Sequence, residues 1–460
     1  MSDHDTIFAL STAPGRSGVA VVRVSGPRSR AALAALGGPA DPEARRAVLV
    51  DLRSPEGGGT IDRALVLAFA EPHSFTGEDV VELHLHGGPA VVRAALEALA
   101  GQDGLRPAEP GEFTRRAFDN GKLDLSEVEG LADLIAAETE AQLRQASRQM
   151  RGALSALTED WRHRLLAALA QIEAAIDFPD EDLPPDGWSL SKDLVSELKN
   201  DISQYLGQSP VGERLRDGYQ IAIVGAPNVG KSSLLNALAQ RDVAIVAETA
   251  GTTRDVIEVH LDLGGYPVTL VDTAGLRDEI GEEVDAVGAV EVEGMRRARL
   301  RAESADLKLV VVDLRDWPDP DSSTKASTEA LLDEAAVLVL NKLDLAQESG
   351  APEATHHRGR PLFAVSAREG TGLGGLLDHL RDLVTRDLGV SGSAPSLTRL
   401  RHRRALEAGR DSLARALAAD EVALAAEDLR LAVRALGRIT GRVDVEDLLD
   451  VIFREFCIGK

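Results

Sequence analysis

Apolar and polar residues alternate in three rhythms along the chain. Over residues 1–120, short apolar runs are separated by Gly- and Pro-rich breaks such as Gly37-Gly38-Pro39 and Gly57–Gly59. Val19–Val24 (VAVVRV) and Ala64–Ala70 (ALVLAFA) read as strands. Val80–His86 (VVELHLH) alternates from Glu82 onward, which predicts a strand with its acid and histidines on one face. Pro89–Ala100 predicts a short helix, and the whole segment is mixed α/β.

From Leu123 to about Ile176 the apolar residues recur at threes and fours, without proline, so the spacing predicts helix. Ser126 followed by Glu129 fits a capping box at its start. Asp177–Gly187 (DFPDEDLPPDG) is a turn-rich break, and Leu190–Leu206 predicts a further helix. The rhythm changes again at Tyr219. Ile221–Val224 is a short apolar strand that runs into a Gly-rich loop and then a helix, Ser232–Ala239. Thr269–Val271, Leu307–Val312 and Val337–Leu340 are further apolar strands alternating with helical stretches, the pattern of a mainly parallel sheet covered on both faces. After a flexible joint at Gly389–Pro395, Leu397–Phe456 is helical again. The economical arrangement is one discontinuous helical domain with the α/β block inserted in it; two separate helical arms are the alternative. The expected boundaries are 1–120 for an N-terminal α+β domain, 121–215 and 387–460 for the two helical parts, and 216–386 for the inserted block.

Composition narrows the function classes. A chain of 460 residues fits roughly three domains at about 150 residues each. Asp and Glu number 75 against 51 Lys and Arg, a net charge of −24, which disfavours sequence-blind nucleic-acid binding over the whole surface but leaves room for a local basic patch. Cys457 is the single cysteine, so an intrachain disulfide and a Cys-rich zinc site are both excluded. The acidic start, Met1-Ser2-Asp3-His4-Asp5, is unlike a signal peptide, and no apolar run is long enough to span a bilayer; a cytoplasmic location without membrane association is expected.

The chemistry is concentrated in the inserted block. Gly225-Ala226-Pro227-Asn228-Val229-Gly230-Lys231-Ser232 fits G-x-x-x-x-G-K-[ST] between a strand and a helix. Its backbone N–H groups suit a β-phosphate, Lys231 the β/γ oxygens, and the Ser232 hydroxyl Mg²⁺. In Gly251-Thr252-Thr253 a threonine can reach Mg²⁺ and the γ-phosphate. Asp272-Thr273-Ala274-Gly275 offers a carboxylate to hold Mg²⁺ through water and an N–H for the γ-phosphate. Asn341-Lys342-Leu343-Asp344 presents an Asp to the N1–H and 2-amino donors that guanine has and adenine lacks. Ser366-Ala367-Arg368 can add an N–H to the guanine O6. Each tetrapeptide alone is a weak signal, but all five in order after apolar strands point to a Ras-like P-loop GTPase domain. Leu276 stands where a water-orienting Gln is expected, so the attacking water is positioned otherwise or hydrolysis is slow. The Asn228 amide, inside the phosphate loop, is either a turn residue or a ligand for a monovalent cation that supplies charge in place of an arginine finger.

The chain resembles, from end to end, the MnmE (TrmE) family of bacterial tRNA modification GTPases. The matching stretches are Thr6-Ile7, Pro14–Val19, Ser74–Asp79, His86–Pro89, Pro110–Thr114 with Ala117-Phe118, Lys122–Leu125, Ala175–Glu181, Ala250–Asp255 and the ending Phe456–Lys460. Generic GTPases share only the middle. The resemblance implies an N-terminal folate-binding domain that also dimerises, a split helical domain and an inserted GTPase domain. It implies a homodimer that joins the FAD-dependent protein MnmG in a heterotetramer or larger complex. That complex adds carboxymethylaminomethyl to the wobble uridine of certain tRNAs, with 5-formyltetrahydrofolate or another tetrahydrofolate carrier as one-carbon donor. Potassium activates the GTPase. A GTP-gated RNA-binding switch in ribosome assembly is the alternative reading, and a folate-dependent one-carbon transferase for a small molecule a third.

Carried over position by position, the resemblance assigns nucleotide contacts to Asn228, Val229, Gly230, Lys231, Ser232, Ser233, Thr249, Thr252, Thr253, Asp272, Thr273, Ala274, Gly275, Asn341, Lys342, Asp344, Ser366, Ala367 and Arg368. It assigns Mg²⁺ to Ser232 and Thr253, and K⁺ to Asn228, Ala247, Thr249 and Thr252. Arg254 supports hydrolysis and Glu291 orients the water, with Asp285 as its rival because the loop from Asp278 to Ala289 is longer than the family pattern. Folate contacts fall to Arg23, Glu82, Lys122 and Lys460, where a carboxylate suits the amidine-like pterin edge and cations suit the glutamate tail. Cys457 is either a catalytic thiol or a small apolar residue packed at a helix end.

Overall fold

The structure, a computed structural model, describes residues 5–55, 57, 59–177, 187–207, 209–241, 244–245, 258–272, 305–317, 331–346, 355–389, 397–443, 449, 452–454 and 456–460. The chain divides into two compact units. The first holds Met1–Ile135, Arg148–Asn200 and Ala405–Lys460; the second holds Ala136–Ser147 and Asp201–Arg404. The segments on both sides of the inserted sheet thus fold together in one unit, which is the discontinuous arrangement and not a pair of separate arms.

The first unit is built on a six-stranded sheet of order β3-β4-β5-β2-β1-β6, from β1 (Thr6–Leu10), β2 (Ser17–Ser25), β3 (Val48–Arg53), β4 (Thr60–Phe69), β5 (Val80–Gly87) and β6 (Leu105–Pro107). Only β1 and β6 pair in parallel. Strict alternation sends Val22, Val24, Val50, Leu52, Val66, Leu83 and Leu85 into one core with α1 (Ser29–Ala35) and α2 (Pro89–Ala100). The opposite face carries Arg23, Glu82 and His84, as the alternation of Val80–His86 predicts. There α3 (Glu112–Asp119) drives Phe113 against Ile7, Ala9 and Ala108.

Between Leu123 and Ile176 the helical segment is three helices: α4 (Leu125–Ala136), α5 (Glu140–Met150) and α6 (Ala153–Asp177). The cap at the start of α4 lies two residues earlier than the sequence suggested. Asp124 accepts from the N–H groups of Ser126 and Glu127, and Glu127 reaches back to the N–H of Asp124 at 2.8 Å. Asp124 with Glu127 is therefore the capping box, and Ser126 instead bonds Ser155. Next come α7 (Gly187–Gly207) and α8 (Ser209–Asp217). In the second unit these lead to an eight-stranded sheet of order β13-β14-β12-β11-β7-β10-β9-β8. Its strands are β7 (Tyr219–Gly225), β8 (Ala244–Ile245), β9 (Glu258–Leu263), β10 (Tyr266–Asp272), β11 (Leu307–Asp313), β12 (Ala336–Asn341), β13 (His356–His357) and β14 (Arg360–Ala364). The five central strands are parallel; β13 and β9 pair antiparallel with the outermost of them, and β8 pairs antiparallel with β9. Their near-continuous apolar runs bury both faces, one under α9 (Lys231–Ala239) and α10 (Leu373–Leu388).

Helices α11 (Leu400–Ala418) and α12 (Val422–Thr440) complete the described helices; α12 packs along α6, with Arg430 on Glu173 at 2.9 Å. Leu449, Ile452, Phe453 and Phe456 then close on Leu125 and Val128 of α4. The last residues reach the sheet: Ile458 bridges Pro110, and Gly459, at φ +98°, lies so close to the Leu10 carbonyl that a Cβ would stand 2.1 Å from it.

A buried ion cluster holds α3 to β6. Glu112 is 3% exposed and accepts from Arg106 at 2.6 Å and Arg116 at 3.2 Å. Burial opposes its ionisation, but the Arg106 bond, the Glu109 N–H and the charge of Arg116 outweigh that, so its pKa lies below the ordinary 4.5. A lowered folded pKa contributes stability above the unfolded value and loses it as pH falls through the folded one. Glu112→Gln should therefore cost about 1–3 kcal/mol at pH 7, in urea unfolding followed by circular dichroism. The gap from wild type should narrow as pH drops below 4.5. A gap independent of pH would contradict this.

Candidate functional site

The carboxyl ends of the parallel strands meet along one edge of the second sheet. Backbone register places Val311 opposite Gly225, Asp313 opposite Asn341, and Asp272 opposite Ile223. Crevices outside such strand ends are where open α/β sheets bind ligands. The loop 225–230 leaves β7 there and turns into α9, whose first residue is Lys231. The Lys231 ammonium is folded into the loop, donating to the carbonyls of Gly225 and Ala226 at 3.2 and 2.9 Å. Ser232 is half-buried in the first turn of α9 and Ser233 is exposed. The N–H groups of that helix start suit phosphate.

Asn341 ties the site together. It is 2% exposed, donates Nδ2 to the Val229 carbonyl at 2.9 Å and accepts the Ala367 N–H at 3.1 Å. The phosphate loop, the end of β12 and the turn after β14 are thereby one constellation. Ser366, fully buried, donates Oγ to Asp344 at 2.7 Å and accepts from the Glu369 N–H, so the Asp344 carboxylate is aimed while keeping acceptor capacity. Arg368 is exposed. Lys342 donates to the Asn228 carbonyl at 2.6 Å and pairs with Asp313 at 2.9 Å. Asn228 is exposed and has φ +63°, in the left-handed region.

Sequence reasoning missed Asp313 and Arg315. Asp313 ends β11, accepts Arg315 in a bidentate pair and is 3% exposed. The Arg315 bonds first, then Lys342, hold its carboxyl well below the usual carboxylate range despite burial. The available signal was an acid closing the apolar run LKLVVVD. Several expected site residues lie outside the described residues: Ala247, Thr249, Thr252, Thr253, Arg254, Thr273, Ala274, Gly275, Asp285 and Glu291. Asp272 is described as the last residue of β10, by its backbone.

In the first unit, Arg23 and Glu82 face each other across β2 and β5 and are hydrogen-bonded at 2.9 and 3.1 Å. The guanidinium also lies over the rings of Phe75 and Phe113, 5.4 and 5.7 Å from their centroids. The Lys122 N–H caps α3 on Ala117, with its side chain passing Gly77. Lys460 donates its N–H to Cys457, and the Cys457 thiol is exposed and not packed at a helix end. The matching stretch Ser74–Asp79 proves to be framework. Glu78 accepts from Arg116 and Ser25, and Asp79 from Arg30.

Sequence comparison then decides the family. Residues 6–122 match the family described as GTP-binding protein TrmE N-terminus, and residues 125–457 match the MnmE helical domain. A protein of Parvibaculum lavamentivorans named tRNA modification GTPase MnmE is 54% identical over 463 residues, covering 99% of this chain and 100% of that one. Proteins of the same name are 54% identical in Paramagnetospirillum magneticum, over 99% and 100% of the two chains, and 51% in Rhodospirillum rubrum, over 99% of each. The chain belongs to the MnmE family. It is a GTP hydrolase of that family, with the N-terminal domain, the discontinuous helical domain and the inserted GTPase sheet in one chain. Among the described residues no helix is long and apolar enough to cross a membrane.

Gly230 tests the MnmE-type phosphate loop most directly. At φ +95°, a Cβ would sit 2.3 Å from the Asn341 amide nitrogen. Gly230→Ala should therefore weaken mant-GDP binding by at least about tenfold in a fluorescence titration, because loop and amide cannot both keep their places. Unchanged affinity would show that the Asn341 tie is dispensable.

Proposed function

We propose that this chain is the GTP-hydrolysing component of a tRNA wobble-uridine modifying complex, active in the cytoplasm as a homodimer with an FAD-dependent partner of the MnmG type. The observation that carries the reading is the constellation of Asn341, Asp344, Ser366 and Ala367 bonded to the phosphate loop, within a chain whose N-terminal 6–122 segment matches TrmE. Asp344 accepts from the guanine N1–H and 2-amino groups, and the turn 366–368 serves O6. Lys231 turns from the loop carbonyls to the β- and γ-phosphates. Ser232, with Thr253 and Asp272, is the donor set for Mg²⁺: a hydroxyl pair and a carboxylate suit a hard cation.

Asn228, with Ala247, Thr249 and Thr252, is the donor set for K⁺. An exposed amide oxygen on a left-handed loop residue fits a weakly held monovalent ion. Potassium supplies positive charge at the phosphates that an arginine finger supplies elsewhere. Glu291 and Arg254 act on the attacking water and the transition state, and Leu276 leaves that task to them. In the first unit, Arg23, Glu82, Lys122 and Lys460 receive a tetrahydrofolate one-carbon carrier, with Cys457 as the nearby thiol. The Arg23–Glu82 pair supports this: both charges stand on the sheet face beside two phenylalanine rings, an arrangement suited to a flat heterocycle. The domain boundaries 1–120, 121–215, 216–386 and 387–460 complete the reading.

GTP turnover in potassium and sodium at matched ionic strength is the first experiment. Turnover should be about ten- to a hundredfold faster in potassium, with the difference lost in Asn228→Ala. Equal rates in the two salts would overturn the potassium assignment. Equilibrium dialysis with 5-formyltetrahydrofolate should show binding that Glu82→Gln weakens about tenfold. Binding that is absent in the wild type would favour the ribosome-assembly switch.

A further inference from the structure

Asp313 belongs to none of the motifs that mark the nucleotide site, yet it lies where three of its parts converge. It is the last residue of β11, opposite Asn341 in register, and is 3% exposed. Its carboxylate accepts Arg315 Nε at 3.0 Å and Nη2 at 2.6 Å, the Arg315 N–H at 3.0 Å, and Lys342 Nζ at 2.9 Å. The same Lys342 ammonium donates to the Asn228 carbonyl at 2.6 Å. Both residues in that last bond, Lys342 at φ +67° and Asn228 at φ +63°, are non-glycine residues in the left-handed region. Such conformations persist only where the surroundings over-determine them.

We propose that Asp313 is a positioning residue: through Lys342 it fixes the main chain of Asn228 and thereby couples guanine recognition to the cation ligand of the phosphate loop. This rests on the guanine-nucleotide and potassium reading above and deepens it. The ammonium has three donors, and Asp313 and Asn228 claim two of them. Charge-assisted bonds are stronger than neutral ones, so the buried carboxylate sets where the ammonium stands. Without that negative charge, Lys342 is left beside the Arg315 guanidinium and is driven off it. The Asn228 carbonyl then loses its donor, and nothing retains the left-handed turn that presents its amide. Arg315 balances the carboxylate from the solvent side, being half exposed.

The test is Asp313→Asn. The amide keeps an oxygen for the Arg315 N–H, so the turn stays capped, while the charge and the second acceptor that holds Lys342 are lost. Mant-GDP affinity in sodium buffer should fall about tenfold. The potassium concentration for half-maximal GTP turnover should rise severalfold, and the cost should fall on these two constants and not on kcat at saturation. In a Lys342→Ala background the same substitution should change mant-GDP affinity less than about twofold, because the relay is already cut. An equal loss in both backgrounds would show that Asp313 acts on the fold at large and would overturn the proposal. So would unchanged affinity in the otherwise wild-type chain. A wild-type chain that binds no guanine nucleotide would overturn the reading beneath it. One that binds but turns over equally in potassium and sodium would overturn the link to the cation alone, and the affinity comparison then decides Asp313.

Discussion

Parallel pairing of β7 with β10 and β11 puts the carboxyl ends of the central strands at one edge, and the nucleotide site exists only because of it. Parallel strands need long crossovers, whose helices lie on the sheet faces, so such a sheet is buried on both sides and its strands must be apolar throughout. The runs at 221–224, 307–312 and 336–340 meet that demand: all their residues but Lys308 are apolar and buried. Once the strands are fixed in register, Gly225 falls opposite Val311, and Asp313 opposite Asn341 two residues further on, without any side-chain interaction selecting them. The side chains then finish what the backbone began. Asn341 is the joint, since one amide serves the phosphate loop with its nitrogen and the 366–368 turn with its oxygen. A buried amide with both ends satisfied is rigid.

The first unit meets a different constraint. Its sheet has a polar face, and charge there is tolerated because it is paired. Arg23 with Glu82, and Glu112 with Arg106 and Arg116, are each held by more than one hydrogen bond. The chain end belongs to the same construction. Phe453 and Phe456 bury against α4, and the tail beyond them is laid on β1 by the close approach at Gly459. The terminal residues thus depend on packing made by segments more than three hundred residues earlier, so the two flanking parts of the chain form one folding unit and not two.

The legible parts of this fold were those whose signal is local. The phosphate loop, its strand and helix, and the buried strands of the second sheet announce themselves within a few residues. Helix α2 matches its predicted span because Pro89 starts it and Gly101 ends it. The strands β1, β3 and β9 escaped notice: TIFAL is short, and VLVDLR and EVHLDL carry charge on their open faces, so partners across the sheet and not their own composition make them strands. The capping box was misplaced by two residues because Ser126, Asp124, Glu127 and Glu129 offer two overlapping matches. The geometry selects Asp124 with Glu127, and Glu129 is buried. The motifs at Ser74–Asp79 and Pro110–Thr114 signalled family membership correctly, but in this structure Glu78, Asp79 and Glu112 are ion-pair framework. Sequence specificity and ligand contact are separate properties, and only side-chain geometry tells them apart.

Charge makes the same point at larger scale. A chain of net charge −24 is an unfavourable place for a nucleoside triphosphate if the whole surface is considered. At physiological salt, however, exposed charges are screened beyond about 8 Å, so the local field decides. Lys231 and Lys342 bond carbonyls of the phosphate loop, and the carboxylate of Asp313 is consumed by Lys342 and Arg315. An acid at that position does not repel the nucleotide. Its charge is neutralised inward, by cations it also holds in place, and the donors of the loop stay directed outward. Removing it would leave the loop more positive and less ordered, and for a ligand that must be gripped at base and phosphate together, order is worth more than one additional charge.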